Sequence, residues 1–359
     1  MYKSQNSVKT FALATLLMLV VCLVPAKTSA SSQPSVDEVL GSVDGNRIMG
    51  TIAELESFGT RAFYLNQSDE AATYIFERFS ELDLEVEYQE FVAGTHPSRN
   101  VVATQKGSLD SSIQFLIGAH YDSENSMAST LELGENLSAP GADDDASGVA
   151  TTIEIATVLH AFRLNYTIKY AAFGAEEAGY DRSGGLRGSR HFVELERARS
   201  ASYEGTAILD MIGYKGSSDN HAVVLINEYN KLANAVLAAV PAHELNITLG
   251  MVIDSSIAYS DHYPFWVAGY PSMLVCEAIT DAGLPYEFNP NYHTQDDTID
   301  QLSMEQMIEV SKALLGGMLT LNGLASNENG ISVITVLVVV VLCMAVAVAV
   351  IIYISKVKK

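Results

Sequence analysis

The chain has 359 residues, with 43 acidic against 21 basic side chains and a net charge of −22. A surface so acidic repels nucleic acid and anionic lipid and attracts cations, amines among them, so a nucleic-acid partner is excluded. Of the three cysteines, Cys22 and Cys343 lie in the apolar ends and only Cys276 lies between, so no disulfide staples the central part, which must rely on a large core and bound ions.

The ends differ in kind from the middle. Residues 1–30 have the features of a secretory signal: Lys3 and Lys9, an apolar run over 11–24, and Thr28-Ser29-Ala30 as a small-residue cleavage site. Every acidic residue then falls between 31 and 330. Residues 331–355 carry no charge, and at about 1.5 Å per helical residue they cross the roughly 30 Å of a bilayer core. Lys356, Lys358 and Lys359 follow at once and belong on the cytoplasmic side. The expected organisation is a signal peptide (1–30), an extracytoplasmic domain (31–328), one transmembrane helix (331–355) and a short basic tail (356–359). Asn66, Asn136, Asn165 and Asn246 open glycosylation acceptor patterns.

Within the middle segment, hydrophobic periodicity predicts a helix over 70–82 and strands over 84–91 and 100–104. Apolar runs at 113–119, 167–174 and 207–209 are predicted strands, each ending in a loop of polar residues, and helical spacing fills 147–162. Later come a strand at 223–226, helices at 231–240 and 261–267, a strand at 272–277 and a last helix over 303–321. Strands alternating with helices, several apolar throughout, imply an α/β fold: a mixed, mostly parallel sheet covered by helices on both faces. In such sheets ligands bind beyond the carboxyl ends of the strands.

Five residues of metal-binding type are spread along this pattern: His120, Asp144, Glu177, Asp210 and His293. They offer nitrogen and oxygen but no thiolate, which suits two zinc ions sharing one carboxylate, and Glu176 beside the third adds a spare carboxylate for proton transfer. A zinc-binding histidine usually gives its second ring N–H to a carboxylate, and Asp122, two positions beyond His120 on an extended chain, points to the same side. Asp143-Asp144-Asp145 precede a predicted helix; capping needs one acid, and three crowded carboxylates call for a cation. Asp144 is the expected bridging ligand, with Asp143 or Asp145 as alternatives. Glu176-Glu177 follow a buried strand and divide into one metal ligand and one general base.

Gly118-Ala-His-Tyr-Asp122, the stretch 139–148, Gly174-Ala-Glu-Glu177, Asp210-Met-Ile-Gly-Tyr214, Ser260-Asp-His262 and the stretch 293–298 together resemble one family. Residues 44–325 are similar to the secreted leucyl aminopeptidases with two co-catalytic zincs, whose relatives include glutamate carboxypeptidases and glutaminyl cyclases. The resemblance implies the zinc exopeptidase fold, two Zn2+ ions and peptide substrates. It implies zinc ligands His120, Asp144, Glu177, Asp210 and His293 with Asp144 bridging, Glu176 as the proton-transferring carboxylate and Asp122 as the orienter of His120. Some relatives stabilise the oxyanion with a tyrosine on a disulfide-held turn. Here Tyr259 precedes Ser260-Asp-His262 without a cysteine pair, and His262 is a candidate for the pocket wall. The expected activity is a membrane-anchored zinc aminopeptidase. The alternatives are a carboxypeptidase, for which Arg182, Arg187 or Arg190 would clamp the terminal carboxylate, a glutaminyl cyclase, and a non-catalytic receptor-like domain.

Overall fold

The computed structural model describes residues 33–125, 138–177, 185–280 and 282–325, together with Met344. Of a leading unit, Met1–Pro34, only Gln33 and Pro34 are described, and all that follows concerns the unit from Ser35 onward. The expected signal peptide (1–30) and basic tail (356–359) lie outside the described residues, as does the expected transmembrane helix (331–355) but for Met344. No helix among the described residues is long and apolar enough to cross a membrane.

Helices α1 (Val36–Leu40), α2 (Gly45–Ser57) and α3 (Asn66–Ser80) lead into β1 (Glu85–Ala93), β2 (His96–Gln105) and β3 (Asp110–His120). A short turn over Ala142–Ser147 then opens α4 (Gly148–Leu159), followed by β4 (Tyr166–Phe173), α5 (Arg187–Ala198), β5 (Ser202–Leu209) and β6 (His221–Ile226). The rest comprises α6 (Lys231–Ala242), β7 (Thr248–Ile253), α7 (His262–Ala268), β8 (Ser272–Cys276) and α8 (Met304–Asn322).

One eight-stranded sheet has the order β1-β2-β4-β3-β5-β8-β6-β7. The central strands β4, β3, β5 and β8 are mutually parallel, as are β6 and β7. The pairs β1–β2, β2–β4 and β6–β8 are antiparallel. Side chains alternate along each strand, so the sheet feeds two cores. From β3, Phe115, Ile117 and Ala119 join a larger core with α2, α3, α4, α6 and α8, while Leu116 turns to a smaller core holding Phe192 of α5 and Phe265 of α7. A fully buried ring such as Phe192 contributes about 1.5–3 kcal/mol.

The predicted core elements are present, with ends shifted by a few residues. Four elements had not been expected: α1, α2, α5 and β7. Helix α5 buries Phe192 and Val193 amid Arg and Glu residues, a charged stretch that resembles a loop in sequence. Strand β7 contains Gly250 and is paired on one side only, which leaves Ile253 63% exposed.

Candidate active site

Because β3, β4, β5 and β8 run parallel, their carboxyl ends open on one edge of the sheet, and chemistry-bearing residues collect there. His120 is the last residue of β3; Glu176 and Glu177 follow β4, and Asp210 follows β5. Asp144 comes from the turn that opens α4, and His293 from the loop between β8 and α8. All six line one cavity of about 520 Å³.

The Asp144 carboxylate is the hub. One oxygen lies 3.1 Å from His120 Nε2 and the other 3.0 Å from His293 Nε2. His120 Nε2 is also 3.8 Å from an Asp210 oxygen, and His293 Nε2 is 3.0 Å from Glu177 Oε1. Two groups therefore share Asp144: His120 with Asp210, and His293 with Glu177. Ligand atoms of His120, Asp144 and Asp210 lie within 4.8 Å of one another, and the same holds for His120, Glu176 and Glu177.

The other two aspartates of the run face elsewhere. Asp145 accepts the backbone amides of His120, Gly148 and Met211, capping α4 and tying it to the ends of β3 and β5. Asp143 accepts the Gly213 amide at 2.8 Å and the Asn289 side-chain amide at 3.0 Å. Gly213 suits that close approach, since a Cβ would stand 3.0 Å from Asp143 Oδ1. Of Asp143, Asp144 and Asp145, then, Asp144 is the one placed between the two histidines.

Asp122 differs from expectation in which atom does the work. His120 Nδ1 lies 3.1 Å from the Asp122 backbone carbonyl and 3.8 Å from its carboxylate. Donation of Nδ1–H to that carbonyl leaves Nε2 as the lone pair facing Asp144. The Asp122 carboxylate instead accepts the Glu176 and Glu177 amides, at 3.0 and 3.2 Å, and so fixes the glutamate pair.

Arg61 stands behind this shell. It is wholly buried and donates to the carbonyls of Leu55, Tyr121, Pro140 and Gly141, clamping the chain after β3 against the Asp-rich turn. Gly141 adopts φ +55°, and a Cβ there would collide with the Asp144 carbonyl and the Arg61 guanidinium.

Of the expected wall residues, Tyr259 lines the cavity and is 58% exposed, but His262 does not. His262 is fully buried, with Nε2 3.0 Å from the Ile257 carbonyl and its ring edge-on to Trp266. Burial pulls its pKa down to about 4. It sits behind the wall because α7 turns its first residue toward the smaller core. Of the candidate arginines, Arg190 lines the cavity, Arg187 does not, and Arg182 lies outside the described residues.

Sequence reasoning missed further wall residues. Tyr292 stacks on His293 with ring centroids 3.7 Å apart, and Glu124 Oε1 is 3.9 Å from His293 Nδ1. Their proximity in sequence to His293 and His120 was the available signal. Met211, Ala258, Leu274 and Phe288 supply an apolar wall that only the tertiary fold brings together.

Electrostatics follow from this crowding. Burial lifts the Glu176 carboxyl well above the usual range; His120 pulls it down, while Glu177, Asp261 and Asp210 add to the rise. Glu177 is raised to about 8 by burial and by the Asp144 charge. Burial also penalises the Asp144 anion, but His120 and His293 outweigh it and hold that carboxyl below its ordinary value. His293 is pulled down by burial, yet Glu177 and Asp144 push it up to about 11. Paired imidazoles among buried carboxylates, with the Cys276 thiol on the cavity wall kept protonated by burial and Arg61 turned toward backbone carbonyls, form a donor set that fits zinc.

Nitrogen and oxygen donors grouped about one shared carboxylate, at the carboxyl edge of such a sheet, define a metallohydrolase. Residues 100–318 match peptidase family M28, and the chain belongs to that family of zinc metallopeptidases. It is similar to leucine aminopeptidase 1 of Fusarium vanettenii, 27% identical over 304 residues that cover 79% of this chain and 72% of the relative. A probable zinc metalloprotease of Pyrenophora teres f. teres is 32% identical over 217 residues, 53% of this chain, which spans only 44% of that relative's length. Among solved structures, LapB from Legionella pneumophila superimposes with a TM-score of 0.67 at 25% identity, covering 84% of this chain and 77% of that one.

Proposed function

We propose that the chain is a two-zinc aminopeptidase that removes single residues from the amino termini of peptides. The observation that carries this is the Asp144 carboxylate set between two imidazoles, one oxygen to each, at 3.1 and 3.0 Å. His120 and Asp210 would hold one ion, Glu177 and His293 the other, with Asp144 shared.

Zinc held there supplies Lewis acidity, polarising a carbonyl and bringing the pKa of water to about 7. Glu176 is the carboxylate left over, and its raised proton affinity suits it to take the proton of the attacking water and return it to the leaving amine. Asp122 keeps Glu176 and Glu177 in register through their amides. Tyr259 is the hydroxyl on the wall suited to donate to a developing oxyanion, since a phenol with an ordinary pKa of about 10 keeps its proton at neutral pH. Acidic groups in the cavity favour a free ammonium, and Met211, Ala258, Leu274 and Phe288 suit an apolar side chain.

Arg190 at the cavity wall supports one second reading, a carboxypeptidase that clamps the terminal carboxylate. Blocked peptides separate the two. Acetylation of the amino terminus should abolish cleavage and amidation of the carboxyl terminus should not; the reverse pattern overturns the aminopeptidase and favours the Arg190 clamp.

We also propose that residues 1–30 direct export and that 331–355 anchor the enzyme with its catalytic domain outside. The supports are the uncharged run and the three lysines that follow it.

A further inference from the structure

Behind the cavity lies a second cluster of buried carboxyl groups that the proposed reaction does not use. Glu277, the residue after β8, is fully buried. Its Oε1 accepts the Asn289 backbone amide at 2.7 Å, its Oε2 accepts the Tyr214 amide at 3.2 Å, and its own amide donates to the Met211 carbonyl at 2.7 Å. Its carboxyl faces that of Asp143. Asp143 in turn accepts from Gly213 and from the Asn289 side chain.

Three segments meet at this node. Asp143 precedes the shared carboxylate of Asp144. Residues 211–214 continue the chain beyond Asp210. Asn289 opens the turn that ends in His293, with the Tyr292 amide donating to the Asn289 carbonyl at 3.2 Å and the Asn291 amide to its side-chain oxygen at 2.9 Å. His293 itself adopts φ +57°, in the left-handed region.

We propose that Glu277 is a positioning residue: as acceptor for the backbone amides of Asn289 and Tyr214, it sets the separation between Asp144 and His293. The inference rests on the reading of Asp144 and His293 as zinc ligands. Glutamine keeps an acceptor oxygen for the Asn289 amide but sets its NH2 against the Tyr214 amide, which is also a donor; alanine keeps neither acceptor.

The test uses the full chain loaded with zinc and compares Glu277→Ala, Glu277→Gln and Asn289→Ala. Steady-state kinetics on an aminoacyl nitroanilide are read beside the half-time of zinc loss to a chelator and the melting temperature of the zinc-free protein. Partners that orient a metal's ligands are worth at least about tenfold in metal retention or turnover. Glu277→Ala should thus lose zinc about tenfold faster and drop kcat about tenfold with KM within about threefold, and Glu277→Gln, which keeps one of the two acceptors, should fall between alanine and the parent. Asn289→Ala, which removes one bond to Asp143, should move in the same direction and keeps the test open if Glu277→Ala does not fold. Parental zinc retention and kcat in Glu277→Ala or Asn289→Ala, with only the melting temperature lowered, would overturn the proposal. So would a Glu277→Gln no better than alanine. An inactive parent chain that still binds zinc would count against the aminopeptidase instead, and the zinc-retention comparison would still decide the role of Glu277.

Discussion

Glu176 and Glu177 are adjacent, similarly buried and of one chemical type, yet their surroundings assign them different tasks. Both line the cavity and both are raised by burial, but it is Glu177 that meets the His293 imidazole, at 3.0 Å. In the proposed reaction Glu177 is a ligand and Glu176 carries a proton. Glu176→Gln keeps shape and polarity and removes the basic oxygen. It should cut kcat by at least about 10²-fold while zinc content, measured by atomic absorption, stays at the parental value. Turnover near the parental rate would remove Glu176 from the mechanism.

On the next scale up, the loops beyond β3, β4 and β5 bring a cluster of buried acids to one place, and without a cation they oppose one another. Glu177 shows the sign of the effect. Its folded pKa of about 8 exceeds its ordinary 4.5, so the folded state favours the protonated form. The stability this gives the zinc-free protein is fully present below about pH 4.5 and is lost as pH rises toward about 8. Bound zinc holds Glu177 ionised and removes that loss, so zinc binding should release protons and strengthen with pH. The gap in melting temperature between zinc-loaded and chelated protein should therefore widen from about pH 5 to about pH 8; a constant gap would contradict it.

The same loops show why parts of the site were legible in sequence and parts were not. His120, Glu176, Glu177 and Asp210 each end or follow an apolar run, and a parallel sheet brings such positions to one edge, so strand-tip placement alone located them. Asp144 could not be told from Asp143 and Asp145 by spacing. Its neighbours are spent on backbone amides of residues up to 70 positions away, a choice made by tertiary contacts. Asp122 lies beside His120, but the hydrogen bond runs through its carbonyl and not the expected carboxylate, and sequence patterns do not distinguish one atom of a residue from another. His262 was drawn toward the pocket by its neighbour Tyr259, yet the first turn of α7 aims it at Trp266. Glu277 ends a strand as the ligand-bearing residues do, and its inward partner, Asp143, lies far away in the chain.

For the molecule as a whole, composition separated a heavily acidic centre from two apolar, lysine-flanked ends. The proposed anchor predicts that the full chain sediments with membranes and resists an alkaline wash, while a chain ending at residue 328 stays in the supernatant. Full-length protein in the soluble fraction would argue against the anchor.

The two imidazoles that embrace Asp144 are contributed at positions 120 and 293, so the cage closes around nothing until most of the polypeptide is in place. A nascent segment that stops short of the second imidazole presents oxygens with a lone nitrogen among them, a set that favours hard ions over zinc. On the proposed route the polypeptide crosses the bilayer unfolded, and the choice of ion is then made by whatever the exterior medium offers when the last loop docks.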